Sequence, residues 1–239
     1  MKPENQERLR LVANLREQSG KESETLQEVD RLLNSCVDDW ECVARLWWEK
    51  ALTYQHLVMK KINIEENKQE MSESAMKAHE IVENNHLDNL KGDDYRFLGR
   101  VADYSKHFEE AKEYYKKALE IYLGKPRELE IKGFMAVVLI NLGDVNGGIQ
   151  LAKTTFDEFD NNSLKQEDYF TWAVWKSGLW PRVVKTLVAR KINYNKEELL
   201  SYLERSEDIL KNPQGEITWG DENFQYRIDE IKEARKSLE

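Results

Sequence analysis

The sequence predicts an all-α protein built from antiparallel helical hairpins. Apolar residues recur at helical spacing in nearly every segment of the 239 residues, and no window shows the strict alternation of a β-strand. Gly and Pro are scarce, with 11 and 4 residues, whereas folds of many strands need many turn residues. Most breaks between the helical segments are short, which favours antiparallel packing of neighbouring helices.

The composition argues against membrane-spanning, disordered and nucleic-acid-binding classes. Charged residues make up 34% of the chain, and no stretch approaches the roughly 20 apolar residues that a spanning helix needs. The apolar fraction of 40%, with seven Trp among it, is sufficient to build a core. A net charge of -9 disfavours binding to nucleic acid through general electrostatics, because such binding needs clustered Lys and Arg. We therefore expect neither a membrane nor a nucleic acid as partner.

Two cysteines and the first residues predict a cytoplasmic location. Cys36 and Cys42 have a spacing that fits no zinc motif, and we expect inert thiols in a reducing compartment. The first 20 residues contain no apolar core of a secretory signal.

The first long helix is predicted from about residue 40. Its apolar residues follow steps of 4, 3, 4, 3 and 4, which place them on one helical face. They are Trp40, Ala44, Trp47, Ala51, Tyr54 and Val58. If Trp40 packs in this face, Trp40→Ala should leave a destabilising cavity.

Three predicted hairpins then repeat the same pattern of apolar positions. Their first helices carry Leu98, Gly99 and Ala102, then Met135, Ala136 and Leu139, then Phe170, Thr171 and Val174. Their second helices carry Phe108, Ala111 and Tyr115, then Val145, Gly148 and Ala152, then Trp180, Val183 and Leu187. Small residues allow two helices to approach closely, so we expect Gly99 and Ala111 to form the tight contact of the central hairpin.

These positions resemble the tetratricopeptide repeat (TPR), a helix-turn-helix unit of about 34 residues. The best match is residues 95–123, in which Ala102 replaces the usual tyrosine and Leu123 the closing proline. Residues 141–144 keep the turn of the second repeat, and residues 164–190 match mainly by spacing. An N-terminal pair is also similar, but its connection is predicted to be about 12 residues longer than the family pattern.

The resemblance implies a right-handed α-solenoid of antiparallel helix hairpins with capping helices. The expected domains are N-terminal helices in residues 1–37, TPR-like hairpins in 38–191 and C-terminal capping helices in 192–239. The one loop with clear turn chemistry is expected at residues 212–220.

In the TPR family the first helix of each pair lines a concave groove, and this implies a set of peptide-binding candidates. These are Arg96, Arg100, Asp103, Asn141, Trp172, Trp175 and Lys176. By the weaker N-terminal match, Arg45, Trp48, Gln55 and His56 would join them. Arg and Trp supply much of the binding energy in peptide interfaces. Alternatively, Trp172 and Trp175 pack against the C-terminal helices, and Arg100 and Asp103 form an ordinary pair along one helix.

Residues 171–195 contain Lys and Arg with interleaved Trp but no Asp or Glu. Such a stretch could hold an acidic peptide, stack on single-stranded nucleic acid, or face an acidic helix at residues 197–208.

Catalytic chemistry is not indicated. The chain has no phosphate loop, metalloprotease motif or nucleophile elbow, and no two of its four histidines have a metal-ligand spacing. We expect no cofactor, no metal and no enzymatic activity. The predicted function is a protein-interaction scaffold that binds a peptide or helix in its groove. The alternatives are a peptide-responsive regulatory sensor or adaptor and an enzyme of helical fold.

Overall fold

The computed structural model describes residues 1–18, 20–36, 38–211 and 225–239, and the elements found there are all helical. The α-helices are α1 (Pro3–Arg16), α2 (Glu22–Leu33), α3 (Trp40–Met59), α4 (Ile64–Asn84), α5 (Lys91–Tyr104), α6 (Phe108–Tyr122), α7 (Arg127–Asn141), α8 (Val145–Glu158), α9 (Leu164–Glu167), α10 (Tyr169–Ser177), α11 (Leu179–Ala189), α12 (Lys196–Leu210) and α13 (Gln225–Lys236), and short 3-10 helices span Asp88–Leu90 and Phe159–Asn161. The all-α prediction is confirmed. The predicted loop at 212–220 lies outside the described residues.

The chain divides into two compact units. Unit 1 comprises Met1–Ile121 and contains α1 to α5 with nearly all of α6, and unit 2 comprises Tyr122–Glu239. The domain boundaries predicted at residues 38 and 192 follow the repeat pattern and stay a prediction. Within the described residues, no helix combines the length and hydrophobicity that a membrane crossing requires.

Helix α3 is the centre of unit 1 because it buries two different faces. Cys42, Val43 and Leu46 pack with apolar residues of α1 and α2. Ala44 and Trp48 lie in a second cluster with apolar residues of α4 and α5. A helix with neighbours on both sides needs two apolar stripes, and the sequence of α3 provides both.

Two expectations about this region are corrected. Trp40 is 48% exposed, whereas Trp48, which the sequence placed in the groove, is 3% exposed. The connection between α3 and α4 is residues 60–63, so the extra length over a TPR lies in the helices, which have 20 and 21 residues.

The α5–α6 and α7–α8 turns share one type of C-terminal cap. In the α5–α6 turn, the N–H of His107 donates to the oxygen of Ala102 (2.8 Å) and that of Lys106 to the oxygen of Asp103 (2.9 Å). Lys106 adopts a left-handed conformation with φ of 63°. The α7–α8 turn places Gly143 in the same conformation, with φ of 96°. This cap ends the first helix and lets the chain reverse direction.

The close approach of α5 and α6 involves Gly99, but its partner is not the one expected. A Cβ added to Gly99 would lie 2.6 Å from Cδ1 and Cε1 of Tyr115, a fully buried ring. Ala111 is also fully buried, one helical turn before Tyr115. The tight contact therefore joins Gly99 to Tyr115, and Ala111 lies beside it.

Replacing Ala111 by Leu should lower the free energy of unfolding by about 1–3 kcal/mol, because the added atoms must displace a packed core. Chemical denaturation of the variant measures this loss. Leu at the exposed position Lys116 of the same helix is the control and should change stability little. An Ala111→Leu protein as stable as the parent would show that α6 does not pack through this face.

Unit 2 has one extended core to which the C-terminal helices contribute. Trp180 is fully buried, stacks on Tyr202 of α12 with ring centroids 3.8 Å apart, and meets the edge of Phe156. Leu203 of α12 and Ile231 of α13 lie in the same cluster. Helices α12 and α13 thus cover the end of the last hairpin.

Helix α10 buries more of its surface than the repeat pattern predicted. Phe170 and Val174, the predicted positions, are partly buried and pack against the core of unit 2, but Trp172 and Ala173 are buried more completely, with 3% and 0% exposure. Asp168 starts a new helix here, since its Oδ1 accepts a hydrogen bond from the N–H of Thr171 (3.0 Å). This N-terminal cap separates α9 from α10.

Candidate functional site

In unit 1, the first helices of neighbouring hairpins bring polar side chains together. Arg100 of α5 donates through Nη1 to Oε1 of Gln55 on α3 (3.4 Å), and Gln55 donates through Nε2 to the hydroxyl of Tyr104 (3.1 Å). Gln55 is 7% exposed, and Arg100 and Tyr104 are half-buried. Two residues that the sequence assigned to the groove, Gln55 and Arg100, are therefore neighbours.

Two stacked aromatic rings lie beside these polar groups. The rings of Trp48 and Phe97 stack with centroids 5.2 Å apart and planes 7° from parallel. The guanidinium carbon atoms of Arg96 and Arg100 lie 4.4 and 5.9 Å from the centre of the Phe97 ring. We define Gln55, Arg96, Phe97, Arg100 and Tyr104 as the Arg100 cluster. The rings are buried, with 3% and 4% exposure, so they support the guanidinium groups from below, and Arg100 is the member with a charged group partly open to solvent.

The members of this cluster differ in accessibility. Arg96 is 6% exposed, and its Nε lies 3.4 Å from Oδ1 of Asp93, so it is mostly a buried member of an ion pair. Arg100 and Asp103 are half-buried and present part of their surface to solvent. Of the other groove candidates in unit 1, Arg45 and His56 are also half-buried, and Arg45 pairs with Glu41 of its own helix (3.2 Å).

His56 does not join the Arg100 cluster. Burial lowers the pKa of His56 to about 4, while Glu17 raises this pKa and Arg16 lowers it further. These charged neighbours belong to the end of α1 and the residue after it. His56 therefore faces the N-terminal helices and remains neutral at ordinary pH.

In unit 2, two groove candidates are core residues. Trp172 is 3% exposed, and its Nε1 donates to the backbone oxygen of Phe159 (2.8 Å). The side chain of Lys176 is 4% exposed and pairs with Asp160. Burial lowers the pKa of Lys176, and the hydrogen bond to Asp160 opposes this shift. Since neither side chain offers much surface, the expected groove position of Trp172 and Lys176 is corrected to a structural one.

The other two candidates of unit 2 keep part of their surface exposed. Trp175 is half-buried, with the guanidinium carbon of Arg127 lying 5.2 Å from its ring centre. Asn141 is half-buried at the end of α7, and its backbone oxygen accepts a hydrogen bond from Nη1 of Arg190 (2.7 Å). Trp175 thus offers an Arg-Trp pair at the surface of α10.

Cations of the basic stretch 171–195 have partners inside unit 2. Besides Lys176 and Arg190, Arg182 lies over the ring of Phe134 (4.5 Å), and Lys185 pairs with Glu233 of α13 (3.1 Å). On the acidic helix α12, Glu198 pairs with Lys153 of α8, which lies outside this stretch. The stretch thus contributes to packing and ion pairs within unit 2, with partners other than the acidic helix that the sequence suggested.

Two solved structures are similar to this chain over most of its length. A protein of Podosopora anserina, named for kinesin light chain and built from nearly identical TPR-like repeats, has a TM-score of 0.52 and 14% sequence identity. The match covers 88% of this chain and 96% of that chain. A single-residue variant of the same protein gives a TM-score of 0.54 at 14% identity, covering 90% and 99%. The fold is TPR-like. No protein-family model and no curated protein sequence matches the chain.

Between two TPR-like hairpins of unit 1 the structure assembles a cluster that the sequence analysis missed. Ligating atoms of His79, Glu83 and Asp94 all lie within 4.8 Å of one another. Burial raises the pKa of Asp94, the hydrogen bond from His79 opposes this shift, and Glu83 and Asp93 add to it. The spacing of His79 and Glu83, four residues apart on one helix, was a sequence signal for two members. The third member, Asp94, comes from the next helix.

Proposed function

We propose that this chain is a non-enzymatic protein-interaction scaffold, and that the α3–α5 face of unit 1 binds a peptide or helix of a partner protein. The TPR-like fold suits protein interaction in general. The more specific proposal rests on the Arg100 cluster, in which the half-buried guanidinium of Arg100 is supported by Gln55 of the neighbouring first helix and by the buried ring of Phe97. The expected partner segment carries a carboxylate opposite Arg100.

The position of Arg100 is the single observation that carries the proposal. Gln55 and Phe97 hold its guanidinium in place, which reduces the conformational entropy that a partner would otherwise have to overcome on binding. Arginine presents its N–H groups in a planar fork that matches both oxygens of a carboxylate.

Trp175 and Asn141 are proposed as binding residues of unit 2. A half-buried Trp with a cation beside its ring, as in the Trp175–Arg127 pair, is the kind of group that anchors peptides. We propose that Trp175 and Asn141 contact a partner on the surface of unit 2. Trp172 and Lys176 would support this contact through the core, since they present almost no surface of their own.

Replacing Arg100 by Ala should weaken partner binding about thirtyfold, or about 2 kcal/mol, if Arg100 is a binding hot spot. Partners are first captured from native lysate with the wild-type chain and identified by mass spectrometry. The dissociation constant of a purified partner is then measured by calorimetry for wild type, Arg100→Ala and Trp175→Ala. Circular dichroism must show that each variant stays folded.

Two exposed substitutions serve as controls for this experiment. Lys116→Ala lies on the second helix of the same hairpin, and Arg10→Ala removes an exposed guanidinium of α1. Both should bind like wild type, because exposed rim residues contribute little. Binding that survives Arg100→Ala and Trp175→Ala, but not a control, would place the interface on another surface.

We also propose a cytoplasmic location. Cys36 and Cys42 are both free and buried, as expected for a reducing compartment. Fractionation of cells that express the native chain tests this proposal directly.

A further inference from the structure

The cluster of His79, Glu83 and Asp94 has the composition of a metal site. His79 and Glu83 lie four residues apart on α4, so their side chains share one face of the helix. Asp94 lies in the first turn of α5, and its Oδ2 is 2.7 Å from Nδ1 of His79. Two consecutive helices thus direct one imidazole and two carboxylates to the same point.

An unsatisfied oxygen provides a second and independent observation. Asp94 is fully buried, and within the described part of the chain its Oδ1 has no hydrogen-bond partner. A buried carboxylate oxygen without a partner is unfavourable by more than a typical hydrogen bond contributes. A cation at the cluster would satisfy this oxygen directly or through a coordinated water.

We propose that His79, Glu83 and Asp94 bind a first-row divalent cation such as Zn²⁺ between α4 and α5. One nitrogen and two oxygen ligands suit Zn²⁺, Co²⁺ or Mn²⁺, whereas Mg²⁺ and Ca²⁺ prefer oxygen ligands alone. Three protein ligands leave at least one coordination position for water or for a group of a partner.

Binding of a cation requires only small movements of the three side chains. Bonds of about 2.0–2.2 Å place neighbouring ligand atoms of a tetrahedral zinc site roughly 3.4 Å apart. The His79 and Asp94 atoms would separate by less than about 1 Å from their hydrogen-bonded distance, and the exposed Glu83 side chain would move inward. Accessibility increases from the buried Asp94 through the partly exposed His79 to the exposed Glu83. A cation therefore has a path from solvent to the site.

The test uses the untagged full chain after removal of metals with a chelator. Zn²⁺ binding is measured by titration calorimetry, and Co²⁺ is used as a spectroscopic probe of the ligand set. We expect one Zn²⁺ per chain, visible absorption from bound Co²⁺, a rise in the melting temperature with Zn²⁺, and no competition by Mg²⁺.

Variants then identify the ligands. His79→Gln, Glu83→Gln and Asp94→Asn should each weaken Zn²⁺ binding at least about tenfold and change the Co²⁺ spectrum. Glu80→Gln, on the same helix as Glu83, and His107→Gln, from the exposed His107–Glu110 pair, are matched controls and should leave the affinity unchanged.

Several results would overturn the proposal. The first is that the wild-type chain does not bind Zn²⁺. The second is that the ligand variants bind Zn²⁺ with the affinity of wild type, and the third is that the control variants lose as much Zn²⁺ affinity as the ligand variants. Because Asp94 is buried, Asp94→Asn could lose stability for reasons other than metal binding. Glu83 is exposed, so Glu83→Gln should fold normally and decides the question if Asp94→Asn does not fold.

Discussion

Replacing Trp48 by Ala should lower the free energy of unfolding by about 3–5 kcal/mol, which is a large part of the stability of an ordinary domain. Trp48 is 3% exposed and stacks on Phe97 in the cluster that joins α3, α4 and α5. Its indole N–H has no hydrogen-bond partner within the described residues, so the loss should come from packing. Urea denaturation followed by circular dichroism measures the change.

Trp40 is the matched control for this substitution. It lies on the same helix, but 48% of its surface is exposed, and Trp40→Ala should cost less than about 1 kcal/mol. The sequence pattern alone would have assigned the larger effect to Trp40. If Trp40→Ala proves as destabilising as Trp48→Ala, the packing described for α3 is incorrect.

The comparison of these two tryptophans explains how far periodicity predicts the fold. A single apolar stripe correctly marked Ala44, Ala51 and Val58 as buried. It did not indicate that α3 has neighbours on two sides, which brings Leu46 and Trp48 into the core as well. One apolar stripe predicts a helix and one of its buried faces, whereas the number of neighbouring helices depends on residues far away in the chain.

The candidate site shows a similar limit. The TPR resemblance brought Gln55 and Arg100 onto one face, and these two residues are in contact. It also assigned Trp172 and Lys176 to the groove, but both are buried, Trp172 with its Nε1 donating to the backbone oxygen of Phe159 and Lys176 paired with Asp160. These partners precede α10 in the chain and lie outside the positions that the repeat alignment compares. The cluster of His79, Glu83 and Asp94 could not be predicted from the sequence pattern, because it forms only where α4 packs against α5.

The contact between Gly148 and the backbone of α7 makes the strongest prediction for unit 2. A Cβ on Gly148 would lie 2.6 Å from the carbonyl oxygen of Ala136 and 2.7 Å from Cγ1 of Ile140. Both Ala136 and Ile140 are fully buried. A flexible side chain can move away from such a clash, but a carbonyl oxygen inside a packed helix can do so only if the helix itself shifts.

Gly148→Ala should therefore lower the free energy of unfolding by about 1–3 kcal/mol, and Gly148→Leu by about 3 kcal/mol or more. The sign of this change in the free energy of unfolding is diagnostic, because replacing Gly by Ala inside an unconstrained helix stabilises the helix by up to about 1 kcal/mol. Asn146→Ala, at an exposed position of the same helix, is the control and should be neutral or stabilising. Denaturant titration of the three variants gives the comparison. A Gly148→Ala protein more stable than the parent would mean that α7 and α8 do not touch at this point, and the alignment of Gly148 with Ala111 as small residues of a close hairpin contact would lose its physical basis.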